Sequence, residues 1–150
     1  MNDQYFAGLF DGEGSIRITR LKLPNKDHVR YALYGAIGMC HRPVIEAIHR
    51  EYGGHIYCIQ PKMKNSRTHF DVRWGSQMAA AMLRRIQPYV IVKKEEVDLA
   101  LEFQAHINSN PYNPGGRGFR INRDEIVKTR ELFFQKITAL KKRAYPLFTS

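Results

Sequence analysis

Residues 5–16, Tyr-Phe-Ala-Gly-Leu-Phe-Asp-Gly-Glu-Gly-Ser-Ile, pass from a helical pattern directly into a strand pattern. Residues 2–12 suit a short helix. Asn2 or Asp3 can cap its first N–H groups, and Tyr5, Phe6, Leu9 and Phe10 supply its apolar side chains. Ala7 is small, and Gly8 and Gly12 stand four residues apart on one face, where they let a second helix come close. From Ser15 the period becomes two: Ile16 and Ile18 fall on one side, Arg17, Thr19 and Leu21 on the other. Asp11 and Glu13 lie at the join. Residues 1–14 contain Asp3, Asp11 and Glu13 but no Lys or Arg, in a chain with 24 basic and 14 acidic residues. An acidic, glycine-rich element inside a basic chain fits a metal site set into a surface for polyanions.

The rest of the chain repeats a simple plan. Residues 24–27 read as a turn and 28–39 as a second strand, completing a long hairpin. Pro43 suits a helix's first turn, Val44, Ile45, Ile48 and Tyr52 give that helix an apolar face, and Gly53-Gly54 ends it. Residues 56–60 and 68–74 read as another hairpin around the basic loop 62–67. A third helix starts at Gly75-Ser76, a fourth spans 92–106, and residues 108–120 make one long loop. Asn122 with Glu125 resembles a capping box for a last helix containing Ile126, Leu132, Phe133, Ile137 and Leu140. The expectation is an α+β fold, order αββαββα, with a four-stranded antiparallel curved sheet and a C-terminal helical extension. The motif occurs once, without internal repeat.

At 150 residues and 43% hydrophobic content, residues 1–150 are expected to form a single domain with a real core. The net charge of +10 favours a polyanionic partner, of which nucleic acid is the commonest; a merely soluble basic protein is the alternative. Cys40 and Cys58 have no zinc-like spacing and are expected as reduced thiols. No apolar run approaches the roughly 20 residues that span a bilayer, and no signal peptide is visible. A soluble, intracellular protein without a membrane partner is expected.

Residues 6–14, Phe-Ala-Gly-Leu-Phe-Asp-Gly-Glu-Gly, resemble the nine-residue signature of the LAGLIDADG homing endonucleases. The resemblance extends by pattern over most of residues 4–106. It implies a site-specific double-strand DNA endonuclease, encoded in an intron or intein, that needs Mg²⁺ or a similar divalent ion and cuts across the minor groove. Glu13 stands where the family has its metal-ligand carboxylate, with the Gly12 carbonyl as a second ligand; the family more commonly has aspartate there. Asp11 stands at the earlier acidic place of the catalytic motif, which in the family is more often structural. With one motif per chain, the resemblance implies a homodimer whose motif helices pack through Ala7, Gly8, Asp11 and Gly12, and a near-palindromic target. Residues 87–94 resemble the family's stretch before its fourth helix, which ends in a lysine near the attacking water. That lysine is Lys93, or Lys94 if the register shifts by one. The family often has Gln or Asn after its second strand to hold catalytic water. Alignment through the following helix puts Met39 there, so that Lys93 or His41 holds the water or activity falls. Host intron RNA, as in splicing maturases, and a DNA-binding protein with a decayed site are the rival readings.

The sheet supplies the expected DNA surface. By alternation its outward residues are Ser15, Arg17, Thr19, Leu21, Arg30, Ala32 and Tyr34, then Cys58, Gln60, Lys62, His69, Asp71 and Arg73. Arg17, Arg30 and Arg73 suit guanine and Gln60 suits adenine in a major groove. Arg20, Lys22, Lys26, Lys62, Lys64 and Arg67 flank the hairpin turns and suit phosphates of double-stranded DNA. Arg120, Arg123, Lys141, Lys142 and Arg143 can add backbone contacts.

Overall fold

The computed structural model describes residues 1–22, 24, 29–111 and 123–143. Residues 25–28, most of the loop expected at 108–120, the capping residue Asn122 and Arg120 lie outside these.

Helix α1 (Asp3–Glu13) begins where Asn2 accepts the Tyr5 N–H on its side chain at 2.8 Å, so Asn2 is the cap. Asp3 instead accepts from Tyr52 and pairs with Arg85, both at 2.7 Å, tying the start of the helix to two others. Strand β1 (Gly14–Lys22) follows without a connecting residue. Glycine is required at that join. A Cβ on Gly14 would overlap the ring and carbonyl of Phe10, whose ring is fully buried.

The remaining elements are β2 (Val29–Met39), α2 (Arg42–Tyr52), β3 (His55–Ile59), β4 (His69–Gly75), α3 (Ser76–Ile86), α4 (Lys94–Ser109) and α5 (Arg123–Lys141). The strands form one antiparallel sheet, ordered β1-β2-β4-β3. One sheet face carries Ile16, Ile18, Tyr31, Leu33, Ile37, Val72 and Trp74, all buried beneath the helices. Phe6 of α1 is stacked on Tyr52 of α2, with ring centres 4.2 Å apart, and Trp74 donates its indole N–H to the Tyr52 carbonyl at 2.9 Å. Burying each such aromatic is worth about 1.5–3 kcal/mol. The α1 start, the α2 end and β4 therefore form one rigid support. The C-terminal helix α5 packs on α4 through the Phe103–Phe133 edge contact at 5.7 Å, and on β2 through the Tyr31 hydroxyl, which donates to Glu131.

Among the described residues, the opposite sheet face carries no helix. It presents Ser15 and Arg17 from β1, Arg30, Ala32 and Tyr34 from β2, and His69, Asp71 and Arg73 from β4, as the alternation predicts. Strand β3 corrects the expectation. His55 pairs with Arg73, Tyr57 with Asp71 and Ile59 with His69, so these three share the open face. Cys58 pairs with Phe70 and stands on the helix side, and Gln60 lies past the strand end, its amide 3.6 Å from the Cys58 sulfur. All five β3 residues are exposed, so no burial alternation marks the register. Among the described residues, no helix is long and apolar enough to cross a membrane.

Candidate active site and nucleic-acid interface

The end of α1 is fastened to the start of α4 by Asp11. Its carboxylate accepts the main-chain N–H groups of Ile91, Val92 and Lys93 at 2.7, 3.2 and 3.0 Å. These N–H groups lie in the link before α4 and at its N-cap, where the helix dipole also favours a carboxylate. Lys93 is the N-cap residue of α4 but offers no capping side chain. Its Nζ turns back and donates to the main-chain oxygen of Asp11. The catalytic and interface expectations for Asp11 thus become a positioning one: both its oxygens are used within the chain. The two candidate lysines differ in what they touch. Lys93 reaches the motif, while Lys94 points along its own helix toward Asp98, 3.8 Å away.

Glu13, the last residue of α1, is exposed, and no hydrogen bond or ion pair engages it among the described residues. The unpaired carbonyls at a helix C-terminus carry partial negative charge, which adds to that of the carboxylate. Gly8 and Gly12 lie on the outer side of α1, and a Cβ on either would meet nothing within 4 Å. Tyr5, 58% exposed, continues that stripe. Beside its end, the link held by Asp11 exposes Ile91 at 83% and Val92 at 69%. Ala7, expected on this pairing face, is instead fully buried in the chain's own core with Phe6 and Phe10.

The open sheet face is basic but internally ordered. Arg17 lies over the Tyr34 ring at 4.9 Å and Arg73 over the Tyr57 ring at 4.3 Å. Asp71 takes Arg73 on one oxygen at 2.8 Å and His69 on the other at 3.0 Å. Thr19 donates to the Ala32 carbonyl at 3.2 Å. Arg20 departs from the expected phosphate role. It alternates to the helix side, 3.4 Å from Glu131 and over the Phe134 ring. Lys22 lies on that same side at the strand end, exposed. Lys62, Lys64 and Arg67 are exposed in the β3–β4 loop.

Met39 ends β2, two residues past the last β1 pairing. The β1–β2 ladder sets Ile37 opposite Gly14, whereas Met39 pairs with Phe70. His41 caps α2, accepting the Val44 N–H on Nδ1 at 3.4 Å. Lys141, expected among the residues that add backbone contacts, has a perturbed environment that the sequence reading did not anticipate. Lys141, on α5, is held below the ordinary lysine value of 10.5, first by desolvation; Glu96 opposes this, and Arg17 and Lys93 add repulsion. Cations from β1, the α4 start and α5 thus repel one another. Only a tertiary contact reveals this, because Lys141 sits in a generic run of basic residues.

Among the described residues no group of three or more His, Cys, Asp or Glu could hold a metal ion. One chain offers an exposed carboxylate, Glu13, and nearby helix-end carbonyls. Such oxygens suit a hard divalent ion, but they make a partial set that a second Glu13 would extend.

No protein-family model and no curated protein matches the chain. Solved structures do. The archaeal intron-encoded homing endonuclease I-Vdi141I, complexed with DNA, is 18% identical with a TM-score of 0.70, over 98% of this chain and 88% of that one. The homing endonuclease I-CvuI, in complex with the I-CreI target in 2 mM Mg with the DNA not cleaved, is 14% identical at 0.69, over 96% and 84%. The LAGLIDADG homing endonuclease I-GzeII, in complex with its DNA target, is 16% identical at 0.72, over 100% of this chain and 53% of that one. The chain has the LAGLIDADG homing-endonuclease fold. Within that fold the nine-residue motif is residues 6–13 of α1 and the first residue of β1, and among the described residues the open sheet face is left free of helices.

Proposed function

We propose that this protein is a site-specific, double-strand DNA endonuclease that acts as a homodimer with divalent metal, Mg²⁺ by preference. The observation that carries the reading is the empty stripe on α1. Glycine inside a helix costs roughly 0.5–1 kcal/mol relative to alanine. Gly8 and Gly12 meet that cost without any packing need inside their own chain, since a Cβ on either has open space. A second copy laid against the stripe would bring its own Gly8 and Gly12 and cover Tyr5 and the exposed Ile91 and Val92. It would also set two exposed Glu13 carboxylates side by side.

Glu13, with the Gly12 carbonyl, would hold the ion; Asp11 keeps that helix end in place. When bound, the ion supplies charge neutralisation at the phosphate and lowers the pKa of water. Lys93 places its ammonium beside the motif, where it can stabilise charge that develops on the phosphate. Arg17 and Lys141 add positive potential for the backbone. Arg17, Arg30, Tyr34, His69, Asp71 and Arg73 on the open face would read bases, joined by Tyr57 in place of Gln60. Lys62, Lys64 and Arg67 would hold phosphates. The fold neighbours complexed with DNA support a DNA partner by analogy.

A binding-only protein of the same fold is the second reading. It is favoured by Met39, a thioether where the resemblance expects Gln or Asn to hold catalytic water. A cleavage selection on a randomised library of near-palindromic duplexes, with Mg²⁺ or with chelator, separates the two. The nuclease reading expects enriched cut ends with short 3′ overhangs in Mg²⁺ only, and loss of cutting without loss of binding in Glu13→Gln. Binding without any cut ends would leave the second reading.

A further inference from the structure

On the open sheet face, a cysteine, a histidine and a carboxylate stand in line. The Cys40 sulfur lies 4.0 Å from Nδ1 of His69, and Nε2 of the same ring lies 3.0 Å from Asp71 Oδ1. The carboxylate can only accept, so the ring nitrogen facing it carries the hydrogen. In the neutral ring this leaves a lone pair on Nδ1, directed to the thiol. Two further features hold the arrangement. Arg73 binds the other Asp71 oxygen at 2.8 Å, so the carboxylate cannot turn away freely. The neighbouring β2 residue is Gly38, where a Cβ would overlap both Asp71 Oδ1 and His69 Nε2. The line exists because that position lacks a side chain. Cys40 is exposed, and so is Cys58, whose neighbour is the Gln60 amide at 3.6 Å, a group without a basic nitrogen.

We propose that Cys40 is a nucleophilic thiol that accepts low-molecular-weight disulfides, with His69 as its base and Asp71 as the group that orients His69, and that the adduct blocks the open sheet face. The Cys40 proton passes to His69 Nδ1. The thiolate sulfur attacks one sulfur of the incoming disulfide; a new S–S bond forms and the old one breaks. The departing thiolate leaves with the electron pair and is protonated from the imidazolium or from water. Cys40 is oxidised to a mixed disulfide, and one equivalent of small thiol is released. The thiolate is the reacting form, so its population sets the rate. The resulting adduct stands beside His69, Asp71 and Arg73. The blocking half rests on the DNA-binding reading above; the chemistry does not.

The test uses the full chain, glutathione disulfide at pH 7, and intact-mass and peptide-mass measurement of each cysteine over time. Cys58 is the internal control. Cys40 is expected to react about tenfold faster than Cys58. His69→Gln should lower the Cys40 rate by about that factor and leave Cys58 unchanged, and Asp71→Asn should give an intermediate loss. Equal rates at the two cysteines, or a Cys40 rate indifferent to both substitutions, would overturn the proposal. Should His69→Gln not fold, the wild-type ratio and Asp71→Asn decide. Saturating the adduct should then weaken duplex DNA binding at least about tenfold, with recovery in dithiothreitol. Unchanged affinity of the adduct overturns the blocking half, whereas failure of the unmodified protein to bind any duplex overturns the functional reading and leaves the thiol chemistry standing.

Discussion

Asp11 illustrates how far single residues could be read. The motif located it and suggested structural work at a helix end, but its partners, the N–H groups of Ile91, Val92 and Lys93, lie some eighty residues on and carry no side-chain signal. Asp11→Ala leaves those donors without their acceptor. It should destabilise the fold by about 0.5–2 kcal/mol, as for a lost helix cap, read as a lower urea midpoint at unchanged slope. Ala7 went the other way: its small size fitted a pairing face, yet it follows Phe6 around the helix into the core. A second residue gives a pH dependence. The His106 pKa is lowered from 6.5, first by desolvation and then by Arg130, and its Nε2 is buried without a partner among the described residues. Its folded value is depressed, so its contribution is complete above pH 6.5 and is lost as pH falls through the folded value. His106→Gln should therefore show a smaller drop in urea midpoint between pH 7 and pH 5 than the wild type; an identical drop would assign the pH dependence elsewhere.

At the scale of elements, the long strands were legible and the short one was not. β1 buries Ile16 and Ile18, and β2 buries every second residue from Tyr31 to Ile37, which fixes their faces. β3 has five residues, all exposed, with Ile56, Tyr57 and Ile59 apolar on both faces, so its parity comes only from pairing with β4. The same physics separates two kinds of cation. Arg17 is held in a strand over Tyr34, while Lys64 stands in a loop. Arg17→Ala should cost about 1–3 kcal/mol at one base position and relax preference there. Lys64→Ala should weaken all sequences alike and lower the salt slope by roughly one unit. Binding-site selection and a salt titration check both; uniform weakening by Arg17→Ala would place the DNA on another face.

At the scale of the whole molecule, the order of elements and the position of the motif were readable because helix and strand periods change sharply at Gly14, Gly53-Gly54 and Gly75. The mutual repulsion of Arg17, Lys93 and Lys141 was not, since it depends on how α5 packs against β1. The account also requires a second copy. Gly8→Leu puts a side chain into the stripe on α1, starting from a Cβ that meets nothing of its own chain within 4 Å. It should shift sedimentation from dimer to monomer while leaving the fold intact; an unchanged dimer would move the interface elsewhere. The central claim is that two Glu13 carboxylates, one from each copy, together cut two strands. It is tested by pairing a wild-type chain with a differently tagged Glu13→Gln chain, purifying the mixed dimer, and incubating it in Mg²⁺ with supercoiled plasmid carrying a selected site. The wild-type dimer should give linear plasmid, and the mixed dimer should give none, leaving nicked or uncut circles. Linear product from the mixed dimer at the wild-type rate would contradict the account.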